Sequence, residues 1–252
     1  ANQQAKPKKY IAYFQSYSNT YGKNICELKT IYDEAIGAHK DIVGISISTR
    51  ADSIDEEKIK LINSYTKKVP YVAIEYGMQS IYNKTLDFFE RKETHENFLE
   101  AIRLTKKFPK IHICAHVILG SFTESREEIL YMAKYLGELK IDGVKLHILT
   151  ILKNTNLSTF SFNNSNNIHN HTKYFFNHLS TFKDTVTLLA DFIEHLPSSI
   201  VIHKIAGYGH IDDVLYPSWI KLEKDRILIH VKNELIKRRS KLLSIVNPLL
   251  NK

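Results

Sequence analysis

YVAIEYGMQS, residues 71–80, is the stretch from which the fold is read. Val72 and Ile74 are β-branched in a short apolar run that stops at Glu75 and then Gly77. That is the pattern of a buried parallel strand delivering polar groups at its carboxyl end. Open and closed α/β sheets keep their ligands at that end. Gln79 follows at once, and Arg91 stands at the end of a helical stretch over 82–90. A carboxamide at the strand end and a guanidinium one helix later can converge on one anion or zwitterion.

The same plan repeats on both sides. Residues 10–14, YIAYF, read as a strand that ends in the hydroxyl- and amide-rich loop QSYSNT, with a helix over 25–38 after it. Residues 41–48, DIVGISIS, read as a strand, followed by TRADS and a helix over 54–66. That helix has Ile54, Leu61, Ile62 and Tyr65 on one face and Asp52 or Ser53 as its cap. Helical segments over 81–91 and 96–108 follow the opening stretch. Next come a strand over 111–119 broken by Gly120, a helix over 125–139 burying Ile129, Met132, Ala133 and Leu136, and a strand over 143–149. Five strands alternating with helices predict right-handed βαβ units in a parallel sheet or barrel. Residues 154–171 are rich in Asn and Ser and read as a surface loop and boundary. Beyond it lie a helix over 183–195 burying Val186, Leu189, Phe192 and Ile193, and a sixth strand over 199–205. A loop, AGYGHIDDVLYPSW, and a long basic helix over 222–246 complete the chain. Residues 1–155 are thus expected to form the barrel part and 156–252 an α/β extension.

The length of 252 residues suits one α/β domain with an accessory region, and 43% apolar with 25% charged residues is ordinary for a globular protein. No apolar run is long enough for a membrane span, and the polar start ANQQAKPKK has no apolar signal core, so a cytoplasmic location is expected. Two cysteines, Cys26 and Cys114, give no disulfide framework. The net charge of +8 favours polyanionic partners or simply a lysine-rich surface. Much of it sits late in the chain: Lys221, Lys224, Arg226, Lys232, Lys237, Arg238, Arg239 and Lys241 face only Glu223, Asp225 and Glu234.

Strand residues offer one metal reading. His112, Cys114 and His116 share a strand face, His147 lies on the next strand, and barrel hydrolases place metal ligands at strand ends. The alternative is a set of histidines that satisfy one another in a polar interior. A GxSxG elbow, a Walker loop and a GxGxxG fingerprint are all missing from the sequence.

The phrases YFQSYSNT, ISISTRAD, IEYGMQS, HVILGS, VKLHILTILKNT and GYGHIDDVLYPSW, in that order, resemble radical S-adenosylmethionine (SAM) proteins of the YhcC/YtqA-like branch. These are relatives of oxygen-independent coproporphyrinogen oxidase and of the elongator catalytic subunit. The resemblance spans about residues 10 to 220 and implies a partial (β/α)6 barrel lacking its first βα unit, with a C-terminal α/β extension. It implies SAM contacts as well. Gln15, Ser16, Tyr17 and Ser18 stand in the loop that meets the methionine amino group, where relatives carry a glycine-rich run. Ser48 stands where a ribose-binding carboxylate is common, and the run from Thr49 through Arg50 to Asp52 resembles the TRPD run of the elongator branch. Gln79 and Arg91 match the residues that hold the methionine end, with Arg91 on its carboxylate. His116 falls at a ribose-binding acid, and Ile118 with Gly120 at the adenine-supporting strand end. Lys145 and His147 match branch residues without an assigned role. Gln79, Arg91, His116 and Gly120 are therefore expected around one cavity.

The family holds a [4Fe-4S] cluster through CxxxCxxC, three thiolates leaving one iron open to chelate SAM. That motif is missing here, so the cluster ligands are expected upstream of Ala1 and the chain is expected to be an inactive fragment. The complete form would reduce SAM, with an electron donor protein, to a 5′-deoxyadenosyl radical that abstracts hydrogen from a substrate, tRNA among the choices. The alternatives are an inactive RNA- or protein-binding remnant and a metal-dependent barrel hydrolase.

Overall fold

The computed structural model describes residues 9–158, 179–207 and 211–238. Six strands form one sheet: β1 (Tyr10–Phe14), β2 (Ile42–Thr49), β3 (Tyr71–Gln79), β4 (His112–Leu119), β5 (Gly143–Ile148) and, two strands later in the chain, β7 (Val201–Gly207). The order is β1-β2-β3-β4-β5-β7, and the β1–β2, β2–β3 and β5–β7 pairs are parallel. This is the α/β class with parallel βα repeats that a partial (β/α)6 barrel requires. β1 is an edge strand. The sixth strand, expected over 199–205, continues the sheet beside β5.

Two compact units divide the chain, residues 1–78 with 91–116 and residues 79–90 with 117–252. In the first, α1 (Ile25–Gly37), α2 (Glu56–Ser64) and α4 (His95–Thr105) cover one face of the strands. Ile45, Ile47, Val72 and Ile74 are buried on that face, with Tyr32 ringed by Phe14 and Tyr65, and Tyr76 edge-on to Phe98. Alternation then sends Tyr13, Ser46, Ser48, Glu75 and His116 to the other face. In the second unit α5 (Arg126–Glu138) buries Ile129, Met132, Ala133 and Leu136, the face read from the sequence, and the helix Phe182–His195 buries Val186, Leu189, Phe192 and Ile193. Arg238 locks that helix to the helix Ile227–Lys237, donating to Asp191 at 2.5 Å, Glu194 at 3.0 Å and Glu234 at 2.7 Å. Arg126 pairs with Asp191 from the other side.

Several local readings change. β3 runs through Gly77 to Gln79, past the 71–76 read from the sequence, while its pairing with β2 reaches Tyr76. α2 is capped by Asp55, whose side chain accepts from the Lys58 amide at 2.9 Å, while Asp52 and Ser53 lie in a preceding 3-10 turn. α3 is only Asn83–Phe88, so Arg91 follows the helix, after Glu90 with φ +51°. The presumed loop before Trp219 contains β8 (Val214–Tyr216), which pairs antiparallel with β6 (Ile151–Leu152). The presumed long basic helix is split into Ile220–Glu223, a 3-10 turn Lys224–Arg226, and Ile227–Lys237. Most of the Asn/Ser-rich loop and, of the basic cluster, Arg239 and Lys241 lie outside the described residues.

Candidate functional site

The loop after β1 is built by side chains on the ends of β1 and β2. Asn19 Nδ2 donates to the carbonyls of Phe14 and Ser48, both at 2.9 Å, closing the loop on both strand ends. Ser18 Oγ lies 2.9 Å from Thr49 Oγ1 and accepts from the Arg50 amide at 3.2 Å. Thr20 Oγ1 donates to the Ser53 carbonyl at 2.7 Å. Gln15, Ser16 and Tyr17 ride on this frame in the open; Tyr17 is 97% exposed, with φ +61°. A non-glycine residue in that region is strained, and such strain clusters at functional loops.

Beside it the first unit gathers two arginines and two acids. Arg50 forks onto Asp52, Nε to Oδ1 at 2.9 Å and Nη2 to Oδ2 at 2.5 Å, and donates through Nη1 to the Arg91 carbonyl at 2.8 Å. The Arg50 hydrogen bonds hold the Asp52 carboxyl below the usual carboxylate range. Arg91 Nη2 donates to the Gly77 carbonyl at 3.0 Å and pairs with buried Glu93, which lies 3.7 Å from Arg50. Arg91 Nε is buried with no hydrogen-bond partner among the described residues.

The polar face of the sheet in this unit centres on Glu75, which is only 3% exposed. Register sets Tyr13 beside Ser46 and Ser48 beside Glu75. The Glu75 carboxyl accepts from Ser46 Oγ at 2.6 Å, Tyr13 Oη at 2.8 Å and Ser48 Oγ at 3.3 Å, and its Oε2 lies 2.8 Å from His116 Nε2. Ser48 and His116 were legible as candidates. Glu75, Tyr13 and Ser46 were missed, although the polar residues at alternate positions of these strands carried the signal.

In the second unit Gln79 ends β3 with φ +63°, and Gly120 follows β4 with φ +88°. A Cβ at Gly120 would stand 2.3 Å from Leu179. Ile118 and Lys145 are half-buried on their strands, and His147 packs its ring on Gly207, where a Cβ would come within 2.4 Å of Nδ1. Ser80 donates to buried Glu124 at 2.5 Å, and burial pushes the Glu124 carboxyl up. A cavity of about 660 Å³ opens among Phe88, Phe89, Glu90, Leu152 and Leu157.

No group of three or more His, Cys, Asp or Glu suited to a metal ion occurs among the described residues. His112 packs on the Tyr71 ring and His116 pairs with Glu75, so the histidines of the hydrolase reading are engaged otherwise. The two cysteines, Cys26 exposed and Cys114 buried, do not make up the three thiolates of an iron-sulfur cluster. Among the described residues no helix is long and apolar enough to cross a membrane.

A parallel α/β sheet with a strained loop, two arginines held by acids and a buried carboxylate near its strand ends defines a βα-repeat protein. Residues 2–136 match the Radical SAM superfamily, and the chain belongs to it. It is similar to YtqA of Bacillus subtilis (strain 168), 29% identical over 93% of this chain and 68% of that protein. MJ0486 of Methanocaldococcus jannaschii is 30% identical over 93% and 68%. YhcC of Escherichia coli (strain K12) is 26% identical over 90% and 71%. These relatives bear out the YhcC/YtqA-like branch.

Proposed function

We propose that the complete protein is a radical SAM enzyme that cleaves SAM reductively, forming a 5′-deoxyadenosyl radical that takes hydrogen from a substrate, and that the first unit's strand ends help to hold SAM. The observation that carries this reading is Arg91. Its guanidinium is fixed by Gly77 and Glu93 while Nε stays buried and unpartnered, and a planar fork of this kind suits a carboxylate. Glu93 and Asp52 beside Arg91 and Arg50 make a charge-balanced patch, matched to an amino acid zwitterion rather than to a bare anion. Ser18, with Gln15, Ser16 and Tyr17 on its loop, would meet the amino group, and Ser48 and His116 would serve hydroxyls. Family resemblance adds Gln79, Ile118, Gly120 and His147 from the second unit. A bound cluster would supply the electron for cleavage. This chain's cysteines do not fit that cluster, so its ligands and the electron donor belong to the reading of a longer protein.

tRNA as substrate rests on the charge of +8. The basic helix supports it less than the sequence implied, since Arg238 is spent on three carboxylates. Calorimetry of SAM binding to the complete, cluster-loaded protein tests the central reading. Arg91→Ala should weaken binding by about 1.5 to 3 kcal/mol, the worth of a charged hydrogen bond. Unchanged affinity would remove Arg91 from the site.

A further inference from the structure

We propose that the cavity of the second unit is a binding site for an organic cation with a flat apolar body, an aromatic amine or quaternary ammonium compound, held by Phe88 and Phe89 and by the carboxylates of Asp87 and Glu90. The site lies within the second unit and is independent of the SAM reading, which stands on Arg91 in the first.

Four large apolar side chains, Phe88, Phe89, Leu152 and Leu157, stay half-buried around one hollow of about 660 Å³. Pockets of this size take small organic molecules, and apolar walls favour an apolar body because both surfaces leave water together. Each wall is held by its own bonds. On one side the Phe89 amide donates to the Thr85 carbonyl at 3.0 Å and the Glu90 amide to the Asp87 carbonyl at 2.9 Å, while the Phe88 ring stands edge-on to Phe122 with centroids 4.5 Å apart. On the other side Leu152 is paired to β8, and Thr155 Oγ1 donates to the Leu152 carbonyl at 2.8 Å and accepts from the Ser158 amide at 3.2 Å. A hollow with preformed walls spends little of its binding energy on ordering them.

Charge selects the ligand. Among the described residues that line the cavity the charged ones are Asp87 and Glu90, both exposed. Lys153, next in the chain to Leu152, turns its ammonium to the Asp212 carbonyl at 2.9 Å. Glu90 takes φ +51° and Asn154, in the opposite wall segment, φ +60°. Left-handed backbone at a glutamate is strained, and such strain collects where a ligand is clamped. An anion would meet two like charges here. A cation is drawn by both acids and by the faces of the phenyl rings. That preference runs against the net charge of +8, which by itself attracts anions.

The test titrates the full chain, labelled with nitrogen-15, with benzyltrimethylammonium, benzyl alcohol and phenylacetate, which share a phenyl body and differ in charge. Benzyltrimethylammonium should shift the backbone amides of Phe89, Glu90, Leu152 and Asn156 to saturation, with phenylacetate bound at least about tenfold more weakly. Glu90→Gln should narrow that preference severalfold. Phe89→Leu keeps an apolar wall but removes the ring, so it should weaken the cation by about threefold or more and leave benzyl alcohol nearly unchanged. Equal binding of cation and anion to wild type, saturable shifts confined to other amides, or no saturable shift at all would overturn the site. Should a variant not fold, the three probes on wild type still decide. None of these outcomes bears on Arg91, which calorimetry with SAM tests separately.

Discussion

Glu75 in the first unit and Glu124 in the second are each 3% exposed, yet their surroundings are opposite. Glu75 receives three hydroxyls and faces an imidazole, so both its oxygens are served. Glu124 accepts from Ser80 through Oε1, while Oε2 is buried with no partner among the described residues, and burial pushes the carboxyl up. Equal burial therefore says little about a carboxyl group. The number of donors brought to it decides whether the fold supports a charge or disfavours one.

The strongest attack on this contrast is Glu75→Ala. It leaves Ser46, Tyr13 and His116 facing an empty acceptor position, and urea unfolding should show a loss of about 1 to 3 kcal/mol, the cost of buried donors left without their acceptor. A loss under about 1 kcal/mol would mean the donors rearrange freely and the site is not preorganised.

Glu124→Gln sharpens the other half. A carboxyl whose folded pKa is raised binds its proton more tightly when folded, so its stabilising contribution is complete below the unfolded pKa and fades as pH rises through the folded one. As pH rises from about 4 to about 8 the stability difference should move steadily in favour of Glu124→Gln. A difference independent of pH would place Glu124 among ordinary carboxylates. Ser48→Ala gives the smallest effect, about 0.5 to 1 kcal/mol in the same unfolding assay, since its 3.3 Å bond is the longest of the donors on Glu75. A cost as large as that of Ser46→Ala would show that Ser48 is no minor partner.

The βα units were legible because each strand is an apolar, β-branched run closed by a polar loop, and because α5 repeats its apolar residues at helical spacing. The Glu75 cluster was not, since it forms only when register aligns residues as far apart as Tyr13 and Glu75. Glu75 read simply as the end of an apolar run. β8 escaped because three residues before Pro217 are too few for a periodic signal. The break after Glu223 escaped because neither glycine nor proline marks it.

Arg238 has a consequence for how this sequence can drift. Asp191 answers to two guanidiniums, Arg126 and Arg238, so a change at either arginine leaves it one cation. Arg238 is harder to replace, because it alone bonds Asp191, Glu194 and Glu234 together among the described residues, although Lys183 and Lys237 also act on Glu234. Lysine, with one compact charge, does not reproduce the fork. A substitution at Glu194 or Glu234 thus removes one bond to Arg238, whereas replacement of Arg238 removes all three at once, and its cost should fall once one of those acids has gone.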